Sequence, residues 1–359
     1  SSSVSLANGN AITVNKQHVS VLNPILWSVD NPTMYLLRTE LLQGKNVVDS
    51  YITKFGFRSF KFDAATGFWL NGKNMKINGV CDHHDLGCLG TAIHKDAIIR
   101  KLSILKDMGC NAIRCSHNPP APELLDACDS LGFIVLDESF DMWHQKKTKN
   151  DYARFFDKWF ERDLTDLVVR DRNHPSVLMW EPILNETRYP LDFALKALEI
   201  TKEEYPYPGR PIAAADVHSA GVKEHYDVVY GWPGDDEKED KPEQCIFTRE
   251  FGENVDDWYA HNNNNRASRS WGERPLLIQA LSLATSYDEM YRTTGQFIGG
   301  TQWHPFDHQR GYHPDPYWGG IYDAFRQKKY AYEMFRSQSP ASLQHPLAEC
   351  GPMIFLAHE

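Results

Sequence analysis

The sequence lacks the features that mark three large protein classes. Its 38 Lys and Arg residues never form a block of five or more and the formal net charge is -10, so the basic patch of a nucleic-acid-binding protein is absent. No run approaches the ~18 consecutive apolar residues of a membrane-spanning helix. The 7 Cys are odd in number and form no Cys-x-x-Cys pair, which argues against a disulfide framework and a zinc ribbon. We therefore expect neither a nucleic-acid partner nor a membrane partner.

Several catalytic motifs are missing as well. No Gly-x-Gly-x-x-Gly follows a predicted strand and no Gly-x-x-x-x-Gly-Lys-Ser/Thr occurs, so a nucleotide site is not indicated. The sequence also has no Gly-x-Ser-x-Gly nucleophile and no His-Glu-x-x-His zinc motif. Aromatic residues, in contrast, make up 12%, with 10 Trp and 16 Tyr. Their flat rings suit stacking on the apolar faces of sugars, although most aromatic side chains fill protein cores.

The first part of the chain is β-rich. Between residues 12 and 61, the segments ITV, VSVLNP, MYLLRTELLQ and VVDSYITKFGFRSF are separated by turn signals, which predicts strands of an antiparallel sandwich. This length supplies only half of a sandwich, so residues 1–63 are predicted to be a partial β-sandwich, and whether the chain is a fragment of a larger multidomain enzyme stays open. The start, SSSVSLANGN, lacks the charged and apolar regions of a signal peptide. The compartment, periplasmic or cytoplasmic, stays open.

From about residue 68 onward, short apolar strands alternate with longer helical patterns, which is typical of βα units around a parallel sheet. The helices include Asp96–Met108, Pro122–Leu131 and Phe155–Arg170. Eight strands are predicted, at Met75–Cys81, Ala112–Cys115, Phe133–Leu136, Val177–Trp180, Ile212–Ala215, Val228–Tyr230, Ile246–Arg249 and Phe297–Trp303. Eight strands in about 260 residues fit a (β/α)8 TIM barrel, predicted over 64–340 with a tail at 341–359. An open doubly wound α/β sheet is the alternative.

Polar side chains follow most of the predicted strands. They are Asp82, His83, His84, Asp85, Arg114, His117, Asn118, Asp137, Glu138, Asn185, Glu186, Arg249, Glu250, His304, Asp307 and His308, together with the aromatic Trp303. A single Asp or Asn in such a place commonly caps the next helix, and this interpretation stays open for Asn118 and Asp137. So many ionisable groups are costly to bury unless they pair or perform chemistry. The pattern therefore predicts one polar site at the carboxyl ends of the strands.

Carboxylates dominate this set, and glycoside hydrolysis requires a pair of them. Glu186 follows the fourth predicted strand and Glu250 follows the seventh, so they face each other across the barrel. In a retaining glycosidase the two carboxyl groups lie about 5–5.5 Å apart, one acting as nucleophile and the other as general acid/base. We assign Glu250 as nucleophile and Glu186 as acid/base.

Neighbouring residues support this division of roles. Arg249 or Arg114 would hold a carboxylate ionised, whereas the apolar segment 182–184 would favour a protonated Glu186. Asn185 is placed to hydrogen-bond the sugar 2-hydroxyl.

Histidines at the first strand leave a second chemistry open. His83, His84 and Asp85 are residue types that bind metal ions, but a histidine cluster beside a carboxylate also hydrogen-bonds sugar hydroxyls. No cofactor is expected, and a Mg²⁺ or other metal ion stays open as the alternative.

These motifs resemble glycoside hydrolase family 2, the family of β-galactosidases, β-glucuronidases and β-mannosidases. The resemblance covers roughly residues 25–336. It rests on GFRSFKFDAATGFWLNGKNMKINGVCDHHDLG from Gly56, on NAIRCSHNPPAPELLDACDSLGFIVLDES from Asn111, and on RDRNHPSVLMW from Arg170. It implies that the partial β-sandwich at residues 1–63 is immunoglobulin-like, and it implies an acid/base at Glu186 and a nucleophile at Glu250 in TREFGE. It also implies a substrate subsite, which we take to be lined by Asp82, His84, Arg114, His117, Asn185, Trp303 and His304.

Two departures from the family pattern affect these assignments. The usual Trp-Ser-x-Gly-Asn-Glu is replaced by Trp180-Glu181-Pro182-Ile183-Leu184-Asn185-Glu186, which is one residue longer and lacks glycine. The usual Ser-Glu-Tyr-Gly is replaced by Arg-Glu-Phe-Gly around Glu250, and Glu253 is a rival nucleophile.

The expected function is retaining hydrolysis of terminal β-linked sugars. MWEPILNE, TREFGENVDDW and WHPFDHQRGYHPDP resemble a β-galactosidase branch of the family that acts on galactans, including red-algal ones. The alternatives are a β-glucuronidase, a β-mannosidase, or a carbohydrate-binding barrel without activity. The expected partner is a carbohydrate substrate, and a homo-oligomer is compatible with the sequence.

Overall fold

The computed structural model describes most of the chain. It covers residues 2–5, 9, 12–144, 146, 148–182, 190–205, 213–216, 221–237, 242–252, 266–293, 295–309 and 316–338. Within these ranges, none of the helices combines the length and the apolar character that crossing a membrane requires.

The amino-terminal part contains one long hairpin. Strands β1 (Tyr35–Gln43) and β2 (Asn46–Phe55) pair antiparallel around a turn at Gly44, as the sequence pattern predicts. The strands predicted at ITV and VSVLNP are wrong, because residues 12–25 form no strand and most of their side chains are exposed. A strand needs a neighbouring strand to complete its hydrogen-bond ladder, and none of the strand ladders among the described residues includes residues 12–25. The division of the chain at residue 63 stays a prediction, and 339–359 lies outside the described residues.

A small antiparallel sheet connects the hairpin to the barrel. It consists of β3 (Phe60–Asp63), β4 (Gly67–Leu70) and β5 (Lys73–Asn74). The buried side chains of Phe68 and Leu70 pack in one cluster with Ile77, Ala112 and Ile134, which are the first residues of three barrel strands. The sheet therefore lies against the amino-terminal end of the barrel, opposite the end where the predicted polar residues lie.

Eight parallel strands form the centre of the fold, in the order β10-β11-β12-β13-β6-β7-β8-β9. Seven parallel ladders join them, and β9 and β10 lie close enough for Cα atoms to come within 8 Å. All eight predicted strands and the TIM-barrel fold class are thereby confirmed. The strands are β6 (Ile77–His83), β7 (Ala112–Ser116), β8 (Ile134–Glu138), β9 (Val177–Glu181), β10 (Ala213–Asp216), β11 (Val228–Tyr230), β12 (Cys245–Phe251) and β13 (Phe297–Gln302).

Helices surround this sheet. They are α1 (Lys95–Met108), α2 (Pro122–Leu131), α3 (Phe156–Asp171), α4 (Leu191–Glu204), α5 (Glu273–Arg292) and α6 (Tyr330–Gln338), with short 3₁₀ turns at Gly87–Leu89, Tyr152–Arg154, Lys223–His225, Asp235–Glu237 and Arg269–Trp271. The three predicted helices are confirmed, with Pro122 beginning α2 and Gly132 ending it in a left-handed conformation.

Alternation along each strand separates two cores. In β7, Ala112 belongs to the cluster inside the barrel, whereas Ile113 and Cys115 pack against the helices. Arg114, two residues after Ala112, therefore points inward. The same alternation in β6 directs Cys81 and His83 inward and Asp82 towards α1.

The contact between β13 and β6 depends on one glycine. Gly299 has a φ of 127° and pairs with Ile77, and a Cβ there would collide with the Ile77 carbonyl oxygen. We predict that Gly299→Ala lowers the free energy of unfolding by more than ~4 kcal/mol, measured by urea denaturation. Gly72 is the matched control: its φ is 78° and nothing lies within 4 Å of the position that a Cβ would occupy, so Gly72→Ala should cost only about 1–2 kcal/mol. Equal losses would contradict the collision.

Candidate active site

The site is built around Arg114 at the carboxyl end of the barrel. Its side chain is 0% exposed, and carboxylates from three other strands surround it. Glu138 and Glu181 are the last residues of β8 and β9 and are also fully buried. Glu250, near the end of β12, keeps 13% of its side chain exposed. Of the three carboxylates, Glu250 is therefore the one that a ligand can reach.

The hydrogen bonds of Arg114 use its whole guanidinium group. Nε and Nη2 donate to the two oxygens of Glu181 at 3.0 and 2.9 Å, and Nη2 also contacts Glu138 at 2.9 Å. Nη1 donates to Glu250 Oε1 at 2.7 Å and contacts Cys81 Sγ at 3.8 Å. An arginine has N–H donors on all three nitrogens of its planar guanidinium group, and these contacts use each of the three nitrogens. The guanidinium is thus fixed in position.

His117 links two of the carboxylates. Its Nδ1 lies 3.1 and 3.2 Å from the oxygens of Glu138, and its Nε2 lies 3.5 Å from Glu250 Oε1. Arg114, Glu138, His117 and Glu250 therefore form a closed ring of charged groups. The predicted nucleophile sits where both cations of this ring meet.

The surroundings divide the carboxylates into two types. Burial raises the pKa of Glu250, but the charges of His117, Arg114 and Arg249 outweigh it and leave the pKa below the ordinary value. At Glu138, burial prevails over Arg114 and His117 and raises the pKa to about 7. Burial lowers the pKa of His117, yet Glu138 reverses this and the pKa is raised. At neutral pH, Glu250 is an anion, while Glu138 and His117 hold protons more strongly than they would in water.

A wall of aromatic and imidazole rings lies beside this ring of charges. Trp303 Nε1 donates to His83 Nε2 at 2.8 Å, and His83 stacks on His308 with ring centroids 4.7 Å apart. His304 and Tyr317 pack against both Trp303 and His308. The centroid of the His83 ring is 5.4 Å from that of His117, which joins the wall to the charged groups.

Two residues of the predicted substrate subsite lie elsewhere. Asp82 points away from the barrel interior and pairs with buried Lys101 at 2.7 Å, and His84 Nε2 lies 3.1 Å from the carbonyl oxygen of Thr91. Side chains on a strand alternate between its two faces, so His83, between these residues, occupies the inner position. The structure brings Arg114, His117, Trp303 and His304 near Glu250 and does not bring Asp82 and His84 there.

Three residues of the site were missing from the predicted catalytic pair and from the predicted substrate subsite. His83 could have been found by counting in twos from Cys81 along the predicted strand. Glu138 was noted at a strand end, but its contact with His117 depends on tertiary structure. Glu181 falls just beyond the predicted end of the fourth strand, although it is the last residue of β9.

The predicted acid/base belongs to a part of the chain without described geometry. Glu186 and Asn185 fall within 183–189, and the rival nucleophile Glu253 falls within 253–265, so all three lie outside the described residues. The separation of Glu186 and Glu250 therefore stays a prediction.

Candidate metal ligands in the described part of the chain come together at one place, Asp126, Asp129 and His174. There His174 Nδ1 is 2.7 Å from Asp129 and Asp126 is 3.0 Å from Lys54, so protein groups already pair with them. The predicted alternative ligands have separate partners, with Asp85 lying 3.4 Å from Arg326.

Comparison with known proteins identifies the family. The profile of the TIM barrel domain of glycosyl hydrolases family 2 matches residues 64–308, and a second profile, described as glycosyl hydrolases family 2, matches residues 1–58. The chain belongs to glycoside hydrolase family 2. The resemblance noted from the sequence motifs is confirmed.

Relatives within family 2 carry two kinds of name. The β-galactosidase BoGH2A of Bacteroides ovatus is 60% identical over 164 residues, which cover 46% of this chain and 19% of that protein. A putative β-glucuronidase of Formosa agariphila is 44% identical over 191 residues, covering 50% of this chain and 18% of that protein. The crystal structure of a β-glycosidase from Bacteroides vulgatus matches with a TM-score of 0.75 and 28% identity, over 88% of this chain and 46% of that one. The matches thus span less than half of these relatives.

The protonation of Glu138 gives a test of the family 2 site. Its pKa is raised to about 7 in the folded protein, so between about pH 4.5 and 7 the folded state keeps a proton that the unfolded state has lost. The free energy of unfolding must then fall as the pH rises through this range. The Gln side chain cannot ionise. Because the Glu138 carboxylate raises the pKa of His117, its replacement also lowers that pKa. We predict that the free energy of unfolding of the wild type falls between pH 5 and 8 by roughly 1–3 kcal/mol more than that of Glu138→Gln.

Urea denaturation at unit pH intervals measures this difference. Asp171→Asn serves as the control, because Asp171 is a buried carboxylate on α3 that pairs with Arg170 and lies outside the charged ring. Parallel pH curves for wild type and Glu138→Gln would contradict the raised pKa.

Proposed function

We propose that the protein is a retaining β-glycosidase, and specifically a β-galactosidase that removes terminal β-linked sugars. One observation carries the proposal. The Glu250 carboxylate is held at 2.7 Å by a buried arginine and remains 13% exposed at the barrel mouth. A carboxylate that is kept ionised and accessible is what a glycosidase nucleophile has to be. The same feature argues against a carbohydrate-binding barrel without activity.

The proposed reaction has two steps. Glu250 attacks the anomeric carbon while Glu186 donates a proton to the departing glycosidic oxygen, so the bond to the leaving group breaks and a covalent glycosyl-enzyme forms. Glu186, now ionised, accepts a proton from water, whose oxygen attacks the same carbon and displaces Glu250. Two inversions at one centre return a sugar with the β configuration, and the net reaction is hydrolysis.

The chain's own residues supply electrostatics and position. Arg114 and His117 stabilise the Glu250 anion in the free enzyme and accept the charge again when the intermediate breaks down. Trp303, held by its hydrogen bond to His83, offers an aromatic surface, and the imidazole of His304 beside it can bond sugar hydroxyls. In this proposal the subsite contains His117, Trp303 and His304, with Arg114 behind the Glu250 carboxylate and Asn185 at the 2-hydroxyl. No cofactor is included.

The choice of sugar rests on the relatives. The 60% identical relative is named a β-galactosidase, and the galactan-type motifs agree with it. The second candidate is a β-glucuronidase, because the 44% identical relative is named a putative one. We favour β-galactosides, including oligosaccharides of algal galactans, as substrates.

Three chromogenic substrates decide between these sugars. Aryl β-galactoside, β-glucuronide and β-mannoside should be compared with the complete protein under identical conditions. We expect the largest kcat/KM on the galactoside. A larger value on the glucuronide would replace the sugar but keep the glycosidase, and no turnover of any of the three would contradict the proposed function.

The roles of the two glutamates are separated by an external nucleophile. Glu250→Ala should lose more than about 1,000-fold in kcat with an aryl β-glycoside, and added azide should give the α-glycosyl azide, because azide enters from the face where Glu250 stood. Glu186→Ala with azide should give the β-glycosyl azide, because the covalent intermediate still forms. NMR of the products reads the configuration. A matched Glu253→Ala variant tests the rival, and an α-glycosyl azide from Glu253→Ala in place of Glu250→Ala would overturn the assignment.

A further inference from the structure

Glu181 is a fully buried carboxylate to which the proposed mechanism gives no task. It lies at the end of β9 and pairs in the ladder with Glu138 at the end of β8, so two carboxylates stand side by side on the inner face of the sheet. Both contact the same atom of Arg114, Nη2, at 2.9 Å. Adjacent buried anions repel each other, and such a pair is expensive to keep unless a cation satisfies both.

The geometry of the contact is specific. Glu181 uses both oxygens to accept from Nε and Nη2 of Arg114, at 3.0 and 2.9 Å. This two-bond pairing fixes the plane of the guanidinium as well as its distance, because the fork of donors matches the fork of acceptors. The remaining nitrogen, Nη1, is then directed at Glu250 Oε1, 2.7 Å away.

We propose that Glu181 is a positioning residue, which holds the Arg114 guanidinium in the one plane that presents Nη1 to the Glu250 carboxylate. The inference rests on the proposed function in taking Glu250 as the nucleophile. Glu181 itself acts only through Arg114.

The charge of Glu181 acts against the effect of its geometry. An anion on the far side of Arg114 weakens the positive potential that Glu250 experiences, so charge alone would make Glu250 harder to ionise. Orientation has the opposite effect, because it secures the hydrogen bond from Nη1. The two effects therefore predict opposite responses when Glu181 is neutralised, and a pH profile can separate them.

Several other titratable or charged groups lie near Glu181 and Glu250. The groups facing Glu250 and Glu181 from neighbouring elements are Arg114 on β7, His117 after it, Glu138 on β8, Tyr230 on β11, Arg249 on β12 and Cys81 on β6. Burial and then the charge of Glu181 raise the pKa of Tyr230, and burial raises the pKa of Cys81 to about 12. Neither titrates near the acidic limb of a glycosidase.

The test is Glu181→Gln in the complete protein. The amide keeps the shape of the side chain but replaces one acceptor with a donor, so the two-bond pairing is lost. We expect kcat/KM on the best aryl glycoside to fall about 10- to 100-fold, mostly in kcat. The acidic limb of the pH profile of kcat/KM reports the ionisation of the nucleophile in the free enzyme. It should move upward by about one pH unit, because Glu250 loses its hydrogen bond from Arg114.

Asp171→Asn is the matched control. Asp171 is buried and also accepts two bonds from an arginine, Nε and Nη2 of Arg170, both at 2.6 Å, but it belongs to α3. It should lose stability and keep the acidic limb of the wild type. For Glu181→Gln, an unchanged limb or a downward shift would overturn the proposal, since these are the results of a purely structural role and of charge removal.

A crystal structure of Glu181→Gln separates this inference from the proposed function. If the wild type hydrolyses none of the aryl glycosides, the function fails and the kinetic comparison falls away, but the position of Arg114 can still be measured. Displacement of Nη1 from Glu250 beyond hydrogen-bond distance supports the positioning role. An Arg114–Glu250 contact that stays at the wild-type distance overturns it.

Discussion

Arg114 places a positive charge inside the barrel, where its side chain is 0% exposed, and the strands around it have to compensate that charge. Removing an ion from water costs on the order of several kcal/mol even after the protein relaxes. The compensation comes from the ends of β8, β9 and β12, whose carboxylates contact all three nitrogens of the guanidinium group. A barrel suits this arrangement because the carboxyl ends of its parallel strands converge on one point.

The three carboxylates around this one cation have different surroundings, and the chemistry follows from the difference. Glu181 accepts two bonds from Arg114, Glu138 is shared between Arg114 and His117, and Glu250 contacts both Arg114 and His117 at the edge of solvent. The pKa of Glu250 is lowered and that of Glu138 is raised to about 7. One barrel thus holds one carboxylate that stays ionised and another that keeps its proton to a higher pH, which is the difference in protonation on which glycosidases rely.

Much of the fold could be predicted from the sequence, because short apolar runs that alternate with helical patterns indicate buried parallel strands. All eight barrel strands followed from that pattern, and Arg114 and Glu250 followed from their places at strand ends. The register of a strand was harder to predict, and an error of one residue exchanged His83 for Asp82 and His84, since neighbouring side chains face opposite sides. Glu181 was missed because a carboxylate among apolar residues indicates a site only once its partner is known. The strand prediction within 12–25 was wrong because alternation does not show whether a neighbouring strand is present, and none of the described strands pairs with this segment.

The central claim is that Glu250, the accessible carboxylate among those that contact Arg114, forms a covalent bond to the sugar. A 2-deoxy-2-fluoro-β-galactoside with a good leaving group tests it directly, because the fluorine slows hydrolysis of a covalent intermediate, and peptide fragmentation by mass spectrometry then locates the label. The account predicts one fluorosugar per protein, attached to Glu250. A label on Glu253 or Glu138, or an active protein that never becomes labelled, would contradict it.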